Sequence, residues 1–282
     1  RRSSDLLVLT AVLLLCGCGQ KSETAAAAPA QAVTASAAQS STARPASTGV
    51  TPEQFGAKGD GIADDLQALQ AAMQQASASG RSLELTAGAV YRFSSCLGLP
   101  SGLTIRGNGA VLLSDIQYPD LREDRVAVEL MKDSDDDRAH DVRLENVTFR
   151  AADSCQANYM LRVMLARNVE FVGCTFDCEP NEWGRCAADL YGGNENIRFD
   201  GCVFRQMTSG ASGGIWVRNW TDRVESRNIR FQNCEFYKSG ADELLAVWGW
   251  GGAVRDVVLS GCSFYETQTQ EALDAGHRPE IG

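Results

Sequence analysis

The sequence predicts an all-β chain wound as a parallel β-helix, a solenoid of short strands with one capping α-helix at its N-terminal end. Three observations predict it. A nine-residue pattern recurs five times, as DVRLENVTF (141–149), NVEFVGCTF (168–176), NIRFDGCVF (196–204), NIRFQNCEF (228–236) and DVVLSGCSF (256–264). Within each copy, apolar residues alternate around β-branched and aromatic side chains, which is the period of strand and not of helix. Ahead of the repeats stands a single stretch with helical periodicity, the cap that an open solenoid end requires.

The copies start 27, 28, 32 and 28 residues apart, the spacing of solenoid coils. Coils stacked in register lie about 4.8 Å apart, so like residues stack on like. One ladder is therefore expected from Phe149, Phe176, Phe204, Phe236 and Phe264. Val147, Cys174, Cys202, Cys234 and Cys262 should form a second, at a small buried apolar site. Asp141, Asn168, Asn196, Asn228 and Asp256 should form a third, at a turn where Asx side chains satisfy backbone groups. The two-residue breaks within the copies (VG, DG, QN, SG) bend the chain between two strands. More strand is expected later in each coil, from YMLRVML, GIWV and LLAVW. Residues of the repeat are structural on this reading.

Taken in chain order, residues 1–18 read as a lipoprotein signal. Two arginines precede an apolar run too short to span a bilayer. The run ends in LCGC, which resembles a bacterial lipobox, with Cys18 as the lipid-carrying residue. Gly19 after it implies sorting to the outer membrane within the bacterial envelope. Residues 19–49 are Ala, Ser, Thr, Gln and Pro without large apolar groups, a disordered tether. The folded region is 50–282. In it, Leu66, Leu69, Met73 and Ala76 share one helix face. Asp64 with Gln67 suggests a capping box, and Gly80 a stop. Strand-like runs begin at Ser82 and Gly102. After the fifth copy no closing element is visible, which reads as a truncated sequence or as an end that pairs with another subunit; monomer and trimer both remain open.

Composition narrows the partners. The 282 residues carry a formal charge of −10, which argues against nucleic acid and against an anionic membrane surface; the membrane is met through the lipid alone. Of the 26 basic residues 22 are Arg, the better clamp for carboxylates. An acidic ligand stays open beside the plainer reading of surface composition. Eight cysteines remain outside the signal, and Cys178–Cys186 is the pair best spaced for a disulfide.

The stretch QFGAKGDGIADDLQALQAAM (54–73), followed by GAVYRF (88–93) and LTIRGNG (103–109), resembles the entry segment of the pectate lyase superfamily. More narrowly it is similar to the rhamnogalacturonase and epimerase-like domains, from about Val50 to Phe264. Ala63 and Thr86 depart from that pattern at capping and turn positions. The resemblance implies a right-handed, single-stranded parallel β-helix that binds polysaccharide along an exposed side groove.

Candidate site residues are therefore those facing outward. Trp216 and Trp248 lie fourteen residues after Cys202 and Cys234, so they should stack on adjacent coils and point out, to take the apolar face of a sugar ring. The alternative is that they lie under a loop or against a part of the chain missing from this sequence. Trp250 joins them, and Arg218 should align with it to hold a uronate carboxylate. Asp242 and Glu243 stand where the resemblance to polygalacturonases implies a catalytic acidic pair, although Glu replaces the second Asp, Leu244 replaces Cys, and GGIWVRN replaces the preceding motif. Glycoside hydrolysis needs two such carboxylates. His277, in GHR, is the candidate acid–base histidine. A lyase would need a base and a group that neutralises the uronate; DSDDD (133–137) offers oxygen ligands to Ca2+, against the plainer reading of a solvated acidic loop. No metal site is assigned. The expected function is cleavage of an acidic glycan, by a glycoside hydrolase or a polysaccharide lyase. Its alternative is a non-catalytic binding, adhesion or structural surface domain.

Overall fold

The computed structural model describes residues 49–117, 125–131, 137–178, 186–207, 214–219, 224–238, 244–249 and 252–266. Among the described residues the chain coils through three parallel sheets of seven, eight and six strands. The first sheet runs from Leu83–Glu84 through Ala139–Glu145, Ala166–Val172, Glu195–Asp200 and Ser226–Gln232 to Val254–Ser260. The second runs from Asp60–Asp64 through Thr148–Ala151, Thr175–Asp177, Val203–Met207 and Glu235–Lys238 to Ser263–Glu266. The third holds Leu97–Gly98, Val126–Met131, Tyr159–Met164, Cys186–Tyr191, Ile215–Asn219 and Leu245–Gly249. This is the expected parallel β-helix. The signal, the lipobox with Cys18, and the tether lie outside the described residues.

The repeat residues stack as predicted. Phe149, Phe176, Phe204, Phe236 and Phe264 form an internal column with ring centroids 4.9, 4.9, 5.1 and 4.7 Å apart. A second column, Phe171–Phe199–Phe231, has spacings of 4.8 and 5.0 Å and packs edge-on against the first. The cysteine position is buried beside them. Cys202 Sγ donates to the Phe171 carbonyl of the preceding turn at 3.3 Å, and Cys262 to that of Phe231 at 3.4 Å. The flanking Cys174 and Cys234 thiols, and then burial, push the Cys202 thiol pKa up; Cys174, Cys202 and Cys234 are fully buried and pack the interior. The expected Cys178–Cys186 disulfide is not formed: Cys186 Sγ is turned to the carbonyls of Ala188 and Gly214.

The Asx ladder corrects one detail. Asp141, Asn168, Asn196, Asn228 and Asp256 all sit in the left-handed region, at φ of 55° to 57°, which Asn and Asp tolerate better than other side chains. The side chains of the first four serve one another rather than the backbone. Asn168 Nδ2 donates to Asp141 Oδ1 at 2.9 Å, Asn196 to Asn168 at 3.0 Å and Asn228 to Asn196 at 2.6 Å. The strands of the first sheet bend here. At the second bend Asn146, Gly173, Gly201, Asn233 and Gly261 are also left-handed. A Cβ on Gly173 would lie 2.6 Å from Asn146 Oδ1, so an Asn on one turn calls for glycine on the next.

The helix, Leu66–Ser79, buries Leu66, Leu69, Met73 and Ala76 and ends at left-handed Gly80. Its N-cap is Asp65, not Asp64, and the Asp64–Gln67 box does not form. Asp65 instead accepts the backbone N–H groups of Lys58 and Gly59 at 2.7 and 3.0 Å, while Asp60 Oδ1 accepts those of Ile62 and Ala63 at 2.9 Å. The acidic pair thus ties the entry loop, and the helix starts one residue later.

Candidate functional site

Alternation along Ile215–Asn219 buries Ile215 and Val217 fully and turns Trp216 and Arg218 to the outer face of the third sheet. The next strand turns Trp248 the same way. Register pairs Trp216 with Ala246 and Arg218 with Trp248, so the tryptophans are diagonal neighbours rather than direct ones. The reason is loop length: Ile215 follows Cys202 by thirteen residues, but Leu245 follows Cys234 by eleven. Their rings still meet, with centroids 5.2 Å apart at 39°. Arg218 faces Trp248 and not, as expected, Trp250, which lies outside the described residues with Asp242, Glu243 and His277. Trp216 is half-buried, and its Nε1 is buried without a partner.

A charged network sits under the aromatics. Asp189 is fully buried. Arg218 grips it through two bonds, Nε to Oδ1 at 2.7 Å and Nη2 to Oδ2 at 2.8 Å, and Arg162 Nε reaches Oδ2 at 3.1 Å. The Arg218 guanidinium lies 4.6 Å from the Trp216 ring and 5.0 Å from Tyr191, and that of Arg162 lies 4.6 Å from Tyr159. Tyr159 meets Trp216 edge-on at 5.9 Å. A buried carboxylate survives only when paired and hydrogen-bonded, and here two cations and three aromatic faces supply this. Burial works against the charge on Arg218, but the bonds it donates to Asp189 hold its pKa above the usual arginine range. Burial also raises the Tyr159 pKa. The expected uronate clamp is therefore already engaged with a carboxylate of the protein itself.

The sequence reading missed Arg162, Asp189, Tyr159 and Tyr191. The signal was present in YMLRVML and CAADLY, two apolar strands that each carry one charge, with Arg162 and Asp189 directly opposite in register. A shallow cavity of about 340 Å3 lies on a different face, over the Asx ladder of the first sheet. Two of its three arginines are held by carboxylates, Arg143 by Glu145 and Glu170 and Arg198 by Asp200, with Gln232 beside it; the third, Arg230, donates to Asn228. That closed network offers less to a ligand than the tryptophan flank does. Among the described residues no cluster could hold a metal ion; most of the 133–137 loop lies outside them.

A parallel solenoid, capped by a helix where the chain enters and carrying an aromatic strip with buried arginines on its flank, defines a pectate lyase-like β-helix protein. The chain belongs to the family described as rhamnogalacturonase A/epimerase, pectate lyase-like, whose model matches residues 50–264. Solved structures share the fold at low identity. ORF18 of Geobacillus virus E2 aligns with a TM-score of 0.60 and 16% identity over 80% of this chain and 44% of that one. PfbA, a surface adhesin of Streptococcus pneumoniae, gives 0.55 and 16% over 77% and 59%. Tailspike protein 3 of bacteriophage CBA120 gives 0.52 and 15% over 77% and 31%. The chain thus spans less than two thirds of each of these structures. No curated protein matches it by sequence.

Proposed function

We propose that the protein engages an acidic polysaccharide along the outer flank of its third sheet and cleaves it there, as a glycoside hydrolase or a polysaccharide lyase, while lipid on Cys18 holds it to the outer membrane. The observation that carries this reading is the Trp216–Trp248 stack, braced by the Arg162–Asp189–Arg218 network. Aromatic faces held in place by neighbours suit the apolar side of a sugar ring, because little order is lost on binding. In the sequence, Asp242 and Glu243 fall in the connection from Glu235–Lys238 to Leu245–Gly249, the strand that bears Trp248. They supply the carboxylates that hydrolysis needs, and His277 is the candidate proton carrier.

A second reading, glycan adhesion without cleavage, has one observation in its favour. Asp189, the carboxylate that bonds this network, is fully buried and bound by two arginines, so it is shut away from a glycan on the outer face. An assay separates the two. The full chain is incubated with pectate, rhamnogalacturonan, alginate and neutral glycans, and reducing ends are followed together with absorbance of the unsaturated uronate. Reducing ends with absorbance identify a lyase; reducing ends alone identify a hydrolase, which Asp242→Asn abolishes. Retention of a glycan with no new ends on any substrate assigns adhesion and withdraws cleavage.

A further inference from the structure

The outer face of the second sheet carries another arginine–aspartate–arginine column, built differently from the first. Register aligns Arg150, Asp177 and Arg205 on successive turns. The Asp177 side chain is 3% exposed; its Oδ2 accepts Arg150 Nε at 3.3 Å and Arg205 Nη2 at 3.0 Å. Its Oδ1 is buried and has no donor. The two arginine side chains are 40% and 45% exposed, and each gives Asp177 one of its five N–H donors.

Asp189 shows what a closed network looks like. Both of its oxygens are bonded, and its arginine side chains are 9% exposed. Exposed ion pairs add little stability, and an unmet buried acceptor subtracts from it. The Asp177 column has both features, so stability is a poor account of it. Its carboxylate spaces two half-exposed guanidiniums whose remaining donors have no partner among the described residues.

The column continues into aromatics. Arg205 follows Phe204, whose partner Phe236 precedes Tyr237, and Tyr237 stands opposite Tyr265. The tyrosine rings stack with centroids 4.6 Å apart at 17°. At the usual strand spacing the track from Arg150 to Tyr265 is about 19 Å long. The planar fork of Arg matches an oxyanion, and a tyrosine face matches a sugar ring. We infer that Arg150, Asp177 and Arg205 form an anion subsite for a carboxylate or sulfate carried on a glycan, with Tyr237 and Tyr265 as the adjoining ring platform. This rests on the glycan reading above and adds charge selection, which the tryptophans cannot supply.

The test is calorimetric titration of the full chain with hexagalacturonate, with its methyl ester, and with a sulfated dextran oligosaccharide. Arg150→Gln and Arg205→Gln should each weaken the anionic probe about tenfold. Binding of the ester and the melting temperature should change little. Arg205→Lys, which keeps the charge over Asp177, should recover part of the loss. An effect on hexagalacturonate alone assigns a carboxylate; an effect on the sulfated probe alone assigns a sulfate. Wild-type protein that binds ester and acid equally overturns the subsite and leaves the glycan reading standing. Gln variants that melt lower yet bind the acid unchanged overturn it as well. Wild-type protein that binds none of the probes removes both.

Discussion

At the scale of the residue, the Asx ladder ties composition to conformation. A left-handed φ disfavours most side chains by about 1–2 kcal/mol, and the amide bonds along the axis add to the reasons for Asn. The ladder also has a direction. Each amide donates toward the N-terminal turn, so the chain of bonds ends on Asp141, an acceptor. At its other end Arg230 Nε donates to Asn228 Oδ1 at 2.8 Å. Asn196→Ala, which loses both the conformation and the bonds, should destabilise by about 2 kcal/mol. Asn196→Gly keeps the conformation and should cost less. Urea denaturation of the two variants checks the order, and equal losses would show that conformation has no part in it. The repeated Asx was legible in the sequence. Its role was not, because a spacing says which residues stack and not whether they bond to backbone or to each other.

At the scale of the element, the ladders explain why the repeat tolerates some changes and not others. Phe204 is stacked between Phe176 and Phe236 and meets Phe199 and Phe231 edge-on. Phe204→Ala should cost about 3–5 kcal/mol through the cavity left behind. Cys202→Val, which copies the residue of the first repeat copy, Val147, should cost less than about 1.5 kcal/mol. Thermal melts of the two variants test the contrast; a larger loss for Val would assign the thiol an essential bond to the Phe171 carbonyl. The strands of the first two sheets were readable because the nine-residue pattern spans both. Val126–Met131 and Cys186–Tyr191 of the third sheet escaped notice, since that sheet has no recurring pattern. Its outer positions hold charges and aromatics that differ from turn to turn, and the segments before its strands differ in length. The same two-residue difference set Trp216 opposite Ala246 and Arg218 opposite Trp248.

At the scale of the whole molecule, an acidic chain depends on carboxylates held ionised. Backbone N–H groups of Ala63 and Ile62 lower the pKa of Asp60. The Asn168 amide and His140 lower that of Asp141. For Asp115 burial works the other way but is outweighed by Ser154 and Arg92 together, and for Glu53 by the Tyr91, Thr86 and Thr51 hydroxyls together with its own backbone N–H. A carboxyl whose folded pKa is depressed contributes stability above its unfolded pKa and loses it as pH falls through the folded value. The melting temperature should therefore hold near neutrality and fall once pH drops below about 4. Melts between neutral and acid pH check this, and a melting temperature that rises on acidification contradicts it.

The central claim is that the tryptophan flank of the third sheet holds a glycan. It is tested most directly by the affinity of the full chain for an acidic polysaccharide, compared with that of Trp248→Ala and Trp248→Phe. Trp248 is only half-buried, so its removal should leave folding intact. The account predicts that Ala weakens binding about tenfold, that Phe restores most of it, and that the melting temperature barely moves. Affinity that is the same in all three proteins would contradict the account.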